Sequence, residues 1–389
     1  MSRLHPKPLW QFSGSMMRAD SIGLYVHIPF CVRKCSYCDF CSFSKNDFAK
    51  REEYIEKLCD EIDGYSDRKI KLDSIFFGGG TPSYLTPTEF SKIAEHIKKA
   101  FTISPDTEFT IEANPCTLDN EKLMAYTRAG VNRISIGLQT IHENELKILG
   151  RIHNYKDFLD SYNLVRSHGF DNVNIDLMFG IPEQTIDSFE KTLRAVIELS
   201  PEHVSVYGLI LEEGTPLHEN RDSFVFPAED DEGDMYYLAA KILRRAGYSH
   251  YEISNYAKHG RECRHNLKYW RDEEYIGVGL SAYSYFDGRR FGNTCSPDGY
   301  LQDLQRNEDS VENIDKDAEA YEYVMLRLRL AEGFDLEDYK ARFGKDFVSS
   351  REKIIKKLSD AGYLKVEGTR LSLSESGFYV SNSILTELI

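Results

Sequence analysis

Positive charge and long apolar runs are what this chain has least of. Lysine and arginine number 48 against 63 aspartates and glutamates, a formal net charge of −15. It therefore lacks the broad basic face with which a general nucleic-acid binder displaces counterions from phosphate. No run approaches the roughly 18 apolar residues that a membrane-spanning helix needs. Met1 to Asp20 has no apolar stretch of the secretory kind and reads as a leader. Eight cysteines without such a signal point to a cytoplasmic protein whose thiols stay reduced. Low-complexity tracts are missing too, and nothing repeats beyond a strand-helix unit. What is there, 389 residues with 41% hydrophobic and 12% aromatic side chains, excludes wholesale disorder and suffices for one large domain and a smaller one.

The chain is organised around Gly23 to Phe43. A strand-like run, Leu24-Tyr25-Val26-His27-Ile28, ends at Pro29, and Cys31, Cys35 and Cys38 follow with C-x3-C-x2-C spacing. Three thiolates on one short loop can hold three irons of a 4Fe–4S cluster and leave the fourth iron without a protein ligand. Cys41 extends the run to C-x3-C-x2-C-x2-C, so a structural zinc site is the competing reading.

Beyond the loop, strands and helices alternate. Ser74 to Phe77 runs as a short apolar strand into Gly78-Gly79-Gly80-Thr81-Pro82, where glycines would leave backbone N–H groups open to a charged ligand. Thr86-Pro87-Thr88-Glu89 has the form of a capping box at a helix start. Strands are expected at Glu108–Ala113, Arg133–Leu138, Val173–Met178 and His203–Leu211, with helices between them. Six strands in this rhythm describe a parallel α/β sheet, in which ligands sit beyond the carboxyl ends of the strands. We expect a leader over residues 1–20, the α/β domain over 21–225, an extension over 226–312 and a small winged-helix-like domain over 313–389. The last segment is near charge balance, so it reads as a packing or docking module rather than a DNA reader.

The cysteine loop resembles the signature of the radical S-adenosylmethionine (SAM) superfamily. With it stand IPFC, CSYCDF, GGGTPS, IEANP, IGLQT, LGRIHN, NIDLMFGIP and HNLKYW in order along the chain. Together they resemble the anaerobic coproporphyrinogen oxidase family and, within it, the haem chaperone subfamily of the HemW type. That resemblance implies a (β/α)6 partial barrel, with the cluster on Cys31, Cys35 and Cys38. It implies that Tyr25, Tyr37, Gly79, Gly80, Thr81, Glu112, Gln139, Arg151 and Asp176 line a SAM site. Glu112 and Asp176, charged residues within apolar strands, would be costly to bury idle. Arg151 follows a helix and on its own would read as a solvated surface residue.

His265-Asn266-x2-Tyr269-Trp270 resembles a motif associated with haem binding, with His265 as axial ligand to the iron. Two functions compete. One is a haem chaperone that holds haem on this scaffold and passes it to a recipient protein. The other is an oxygen-independent coproporphyrinogen III oxidase that decarboxylates propionates through a 5′-deoxyadenosyl radical, with a haem-degrading methyltransferase as a more distant reading. The oxidase pattern has a fourth cysteine where Phe40 stands here, which favours the chaperone, although Cys41 fits neither pattern. Whether the chain is an enzyme stays open at this stage. An electron donor such as flavodoxin or ferredoxin is implied, and a homodimer is left open.

Overall fold

The computed structural model describes residues 21–44, 50–302 and 315–389. The leader and the boundary expected at 312/313 lie outside the described residues.

Six parallel strands, β1 (Ile22–Ile28), β2 (Lys71–Gly79), β3 (Thr102–Ala113), β4 (Arg133–Gln139), β5 (Val173–Phe179) and β6 (His203–Gly208), lie side by side in chain order. Each pairs in parallel with the next. The helices between them are α1 (Arg51–Asp63), α2 (Pro87–Ala100), α3 (Asn120–Ala129), α4 (Glu143–Ile148), α5 (Tyr155–Ser167) and α6 (Ile186–Leu199). Sequence periodicity left open where the later strands go. Two short strands, Ser249–Glu252 and Asn255–Ala257, continue the sheet antiparallel beyond β6. At the other edge Tyr275–Val278 pairs in parallel with β1, giving a seventh parallel strand, and Tyr283–Phe286 with Arg289–Gly292 finishes the eleven-stranded sheet.

Helix ends follow local chemistry. Thr86 and Glu89 form the expected capping box of α2, Asp119 caps α3, and Gly130 ends α3 with φ at +100°. Tyr54, Ile55, Leu58, Cys59 and Ile62 make the buried face of α1. Leu24, Val26 and Ile28 of β1 are fully enclosed, each worth ~1.5–3 kcal/mol relative to exposure.

The opposite face of the strands is unlike a core. Alternate positions there are Tyr25 and His27 of β1, Glu108 and Glu112 of β3, Arg133 and Ser135 of β4, Asn174 and Asp176 of β5, and His203 and Ser205 of β6. They meet across the strands. Ser135 Oγ donates to Asp176 Oδ2 at 2.9 Å, and His203 Nδ1 lies 2.6 Å from Asn174 Oδ1. A parallel sheet can turn a polar face inward only by curving around it, so these contacts give the barrel interior a hydrogen-bonded lining.

The C-terminal segment folds as expected through Lys316–Arg327, Leu336–Phe343 and Glu352–Asp360, with a two-stranded wing, Leu364–Glu367 and Arg370–Leu373, around Gly368 at φ +62°. Phe334–Asp335 adds a third strand, and two helices, Glu375–Tyr379 and Ser381–Leu388, complete it. Tyr323, Phe334, Tyr339, Phe343 and Phe347 form its aromatic core. The module docks on the helix Glu229–Arg245 through Tyr379 against Tyr236 at 5.5 Å and an Arg244–Glu375 ion pair.

Candidate cluster and cofactor site

Cys31 leaves β1 by way of Pro29, and the rest of the loop is pinned at several points. Gly80 N–H donates to Ile28 O and Thr81 N–H to Phe30 O, both at 2.8 Å, while Phe43 N–H donates to Pro29 O at 2.7 Å. Across the barrel mouth Ser36 N–H reaches Leu149 O at 3.0 Å and its hydroxyl reaches Ile148 O at 2.6 Å. A side chain on Gly150, where φ is +71°, would meet Ser36 N at 3.0 Å, so the glycine permits this approach. The glycines after β2 differ from expectation in one respect. The amides of Gly80 and Thr81 serve the cysteine loop, and that of Gly79 serves the Glu112 carboxylate, so these N–H groups are already used within the fold. Gly79, with φ at +106°, is required because a Cβ would sit 2.5 Å from the His27 ring.

Three thiols each have a hydrogen-bonding neighbour. Thr81 Oγ1 donates to Cys31 Sγ at 3.5 Å, Arg151 Nη1 to Cys35 Sγ at 3.6 Å, and Ser42 Oγ lies 4.0 Å from Cys38 Sγ. Cys31 and Cys38 are both within electrostatic reach of Cys35, and burial holds both thiols above the usual range. Cys41 stands apart: its thiol donates to Cys295 O at 3.6 Å. That is a three-thiol set with a spare fourth, the donor set of a cluster with one open iron. Among the described residues no group of three or more His, Cys, Asp or Glu is gathered around a single-ion position.

Two of these donors belong to one chain of contacts. Thr81 Oγ1 also accepts from Asn114 Nδ2 at 2.8 Å, and Asn114 Oδ1 accepts from Arg151 Nη2 at 2.6 Å. The same nitrogen of Arg151 donates to Gly137 O at 2.7 Å. Arg151 is therefore built into the fold and is no surface residue. A cleft opens here, lined by Arg33, Cys35, Thr81, Asn114, Arg151 and His153 among others.

Deeper in the mouth lie two carboxyl groups. Burial and the neighbouring Asp176 push Glu112 up to about 8, against the pull of the Gly79 amide. Burial raises Asp176 as well, against donors from Ser135, Ser205 and Asn174. Gln139 ends β4 buried, with φ at +70°. Tyr25 OH donates to His27 Nδ1 at 3.1 Å, since His27 Nε2 must keep its proton to donate to Cys41 O at 2.8 Å. Tyr37 packs with Leu149, Met178, Ile181 and Leu209 in a small apolar cluster beneath the loop. Gly79, Glu112, Gln139 and Asp176 thus stand toward the carboxyl ends of their strands, and Thr81 and Arg151 hydrogen-bond two of the three thiols. A carboxylate pair suits an ammonium and hydroxyl groups, and a guanidinium suits a carboxylate.

His265 is placed elsewhere. It sits on the helix Arg264–Arg271 at the amino end of the barrel, where the amides of Arg264 and His265 donate to Glu108 at 3.0 and 3.1 Å. Its imidazole is 1% exposed, with Nδ1 2.9 Å from Ser74 Oγ and Nε2 2.9 Å from Tyr269 OH. Burial, Lys268 and Arg133 lower it to about 3, so the ring is neutral. In this arrangement each ring nitrogen has a hydroxyl partner, so iron ligation there would require one of them to yield. Its ring stacks on Phe76 at 5.3 Å and Tyr25 at 6.4 Å, joining the two ends of the barrel interior.

Sequence reasoning did not assign Asn114, His27, Ser42 or the buried Arg133. Asn114 stands inside the IEANP motif, and an amide at a strand end next to a cofactor glutamate was the available signal.

A curved parallel sheet with three thiols at its carboxyl mouth defines a radical SAM protein. The Radical SAM superfamily profile matches residues 25–196, and that of the HemN C-terminal domain matches residues 314–380. Coproporphyrinogen III oxidase (HemN) from Escherichia coli has the same fold, with a TM-score of 0.83 at 23% identity over 96% of this chain and 91% of that one. Similarity in sequence is greater to the heme chaperone HemW of Escherichia coli, 36% identical over 95% of this chain and 98% of that protein. The heme chaperone HemW of Synechocystis is 37% identical over 79% of this chain and 78% of its own length. The chain belongs to the HemW family.

Proposed function

We propose that this protein is a haem chaperone that holds haem on a radical SAM scaffold and passes it to a recipient protein in the cytoplasm. The observation that carries the reading is similarity to heme chaperones at 33–37% identity over 79–95% of the chain, with Phe40 where the oxidase pattern has a cysteine. Phe40 is 68% exposed on the cysteine loop.

In this reading Cys31, Cys35 and Cys38 hold a 4Fe–4S cluster. Glu112, Gln139, Asp176 and Arg151, with the loop at Gly79, Gly80 and Thr81, would hold SAM. When bound, the cluster supplies one-electron chemistry, with an electron donor such as flavodoxin or ferredoxin as its source. The chain's own part is positional. Thr81 and Arg151 hydrogen-bond two of the sulfurs, and the mouth residues offer two carboxyl groups and a guanidinium to a zwitterionic amino acid group.

The test is a parallel assay of anaerobically reconstituted protein. Haem titration should give a saturable Soret change, and coproporphyrinogen III with SAM and a reductant should give no protoporphyrinogen IX. Formation of that product would make the protein an oxidase.

A further inference from the structure

Cys41 is the thiol for which the three-cysteine reading has no use. Its thiol donates to the backbone of Cys295, 3.6 Å from Cys295 O. The two thiols lie close enough to act on each other electrostatically. Cys295 is exposed and Cys41 is partly buried.

The segments that carry the two cysteines are anchored separately. On one side His27 Nε2 holds Cys41 O at 2.8 Å. On the other, Asn293 Nδ2 donates to Glu61 Oε1 and Gly279 O, both at 2.8 Å, and Ser281 N–H donates to Thr294 O at 2.9 Å. Nearby, Lys50 and Asp298 form an ion pair across the same seam at 2.9 Å. A disulfide tolerates little displacement of its Cα atoms, and hydrogen bonds hold the backbone on both sides here.

We propose that Cys41 and Cys295 form a reversible disulfide, a thiol-oxidation site separate from the cluster ligands. It closes the trailing end of the cysteine loop onto the edge of the sheet. The oxidant class is a small disulfide such as oxidised glutathione. The exposed Cys295 thiolate attacks it, forming a mixed disulfide and releasing one glutathione thiolate. The Cys41 thiolate then attacks Cys295 Sγ, the Cys295–glutathione bond breaks, and the second glutathione leaves. Two protein thiols lose two electrons, one small disulfide gains them, and the two protons go to the released glutathiones. A small thiol reverses the sequence.

The inference rests on the proposed cluster assignment only in leaving Cys41 spare. Its test uses the reconstituted full chain, incubated anaerobically with oxidised glutathione, blocked with iodoacetamide and digested without reductant. Mass spectrometry should find a Cys41–Cys295 peptide pair lighter by two hydrogens than its parts. Cys41→Ser should lose the pair and retain glutathione on Cys295. Cys295→Ser, at an exposed position, should lose the pair, and both variants should keep the iron and sulfide of the parent. Glutathione remaining on Cys295 of the unmodified chain, or a Cys41 linkage to Cys35 or Cys38, overturns the proposal while leaving the cluster assignment standing. Loss of iron in Cys41→Ser overturns both.

Discussion

Arg151 Nη2 and Asn114 Oδ1 are 2.6 Å apart, and through this contact two cysteine sulfurs share one hydrogen-bond network. From Cys31 the path runs through Thr81, Asn114 and Arg151 to Cys35. Hydrogen bonds to cluster sulfurs stabilise the more negative, reduced state and so raise the potential.

Asn114→Ala should therefore lower the cluster midpoint potential without loss of iron, because it releases both Thr81 and Arg151 and touches no iron ligand. A hydrogen bond worth ~1 kcal/mol corresponds to about 40 mV for one electron. Redox titration followed by electron paramagnetic resonance measures it. A potential equal to that of the parent would confine Asn114 to holding the loop.

Glu112 gives a dependence on pH. Its folded value of about 8 lies above the roughly 4.3 of an unfolded glutamate. Between those values the folded state keeps a proton that the unfolded state has released. Its contribution to stability is thus full below about 4.3 and lost as pH rises toward 8. Glu112→Gln, which stays neutral, should melt higher than the parent at pH 8.5 and close to it near pH 5. A bound ammonium would favour the carboxylate. SAM binding should then release a proton near pH 7, with affinity rising up to about pH 8, and Glu112→Gln should abolish both effects. Calorimetry in buffers of different ionisation enthalpy reads the proton directly.

The thiol set predicts a sharp division among the eight cysteines. Cys31→Ala, Cys35→Ala and Cys38→Ala, combined, should lose the iron and sulfide of the reconstituted protein. Cys41, Cys59, Cys116, Cys263 and Cys295 should each be dispensable. Cys59 and Cys263 are buried in the fold, so their replacement is judged by iron per folded molecule. Unchanged iron in the triple variant would refute the cluster assignment.

Local patterns made much of this legible. The cysteine spacing, the glycine turn after β2 and the box at Thr86 each act within a few residues, so they could be read in order. Arg151 could not. Its burial depends on Gly150 letting Ser36 approach from more than a hundred positions away, a contact that no local period records. The same holds for His265, whose neighbours Ser74 and Glu108 come from β2 and β3. A histidine beside two aromatic residues looks like a free ligand until the partners of its ring nitrogens are known. The polar lining was half visible for a related reason. Glu112 and Asp176 stood out as charges in apolar strands, whereas Asn174 and His203 read as ordinary strand-end residues and only curvature brings them face to face.

Tyr269 separates a haem ligand from a packing residue. Its hydroxyl occupies His265 Nε2 at 2.9 Å, so haem ligation through that nitrogen requires the phenol to yield. Tyr269→Phe keeps the ring and removes the hydroxyl, and should tighten haem binding if His265 is the axial ligand. His265→Ala alone is ambiguous. It strands the Ser74 and Tyr269 hydroxyls in a buried space, a cost of ~1–3 kcal/mol for each unsatisfied group, and so should lower the melting temperature whatever its role in haem binding. The discriminating measurement is a haem titration of Tyr269→Phe followed in the Soret region. Tighter binding that disappears when His265→Ala is added assigns the ligand. Affinity equal to that of the parent means that the HNLKYW helix serves to close the amino end of the barrel, and haem is held elsewhere.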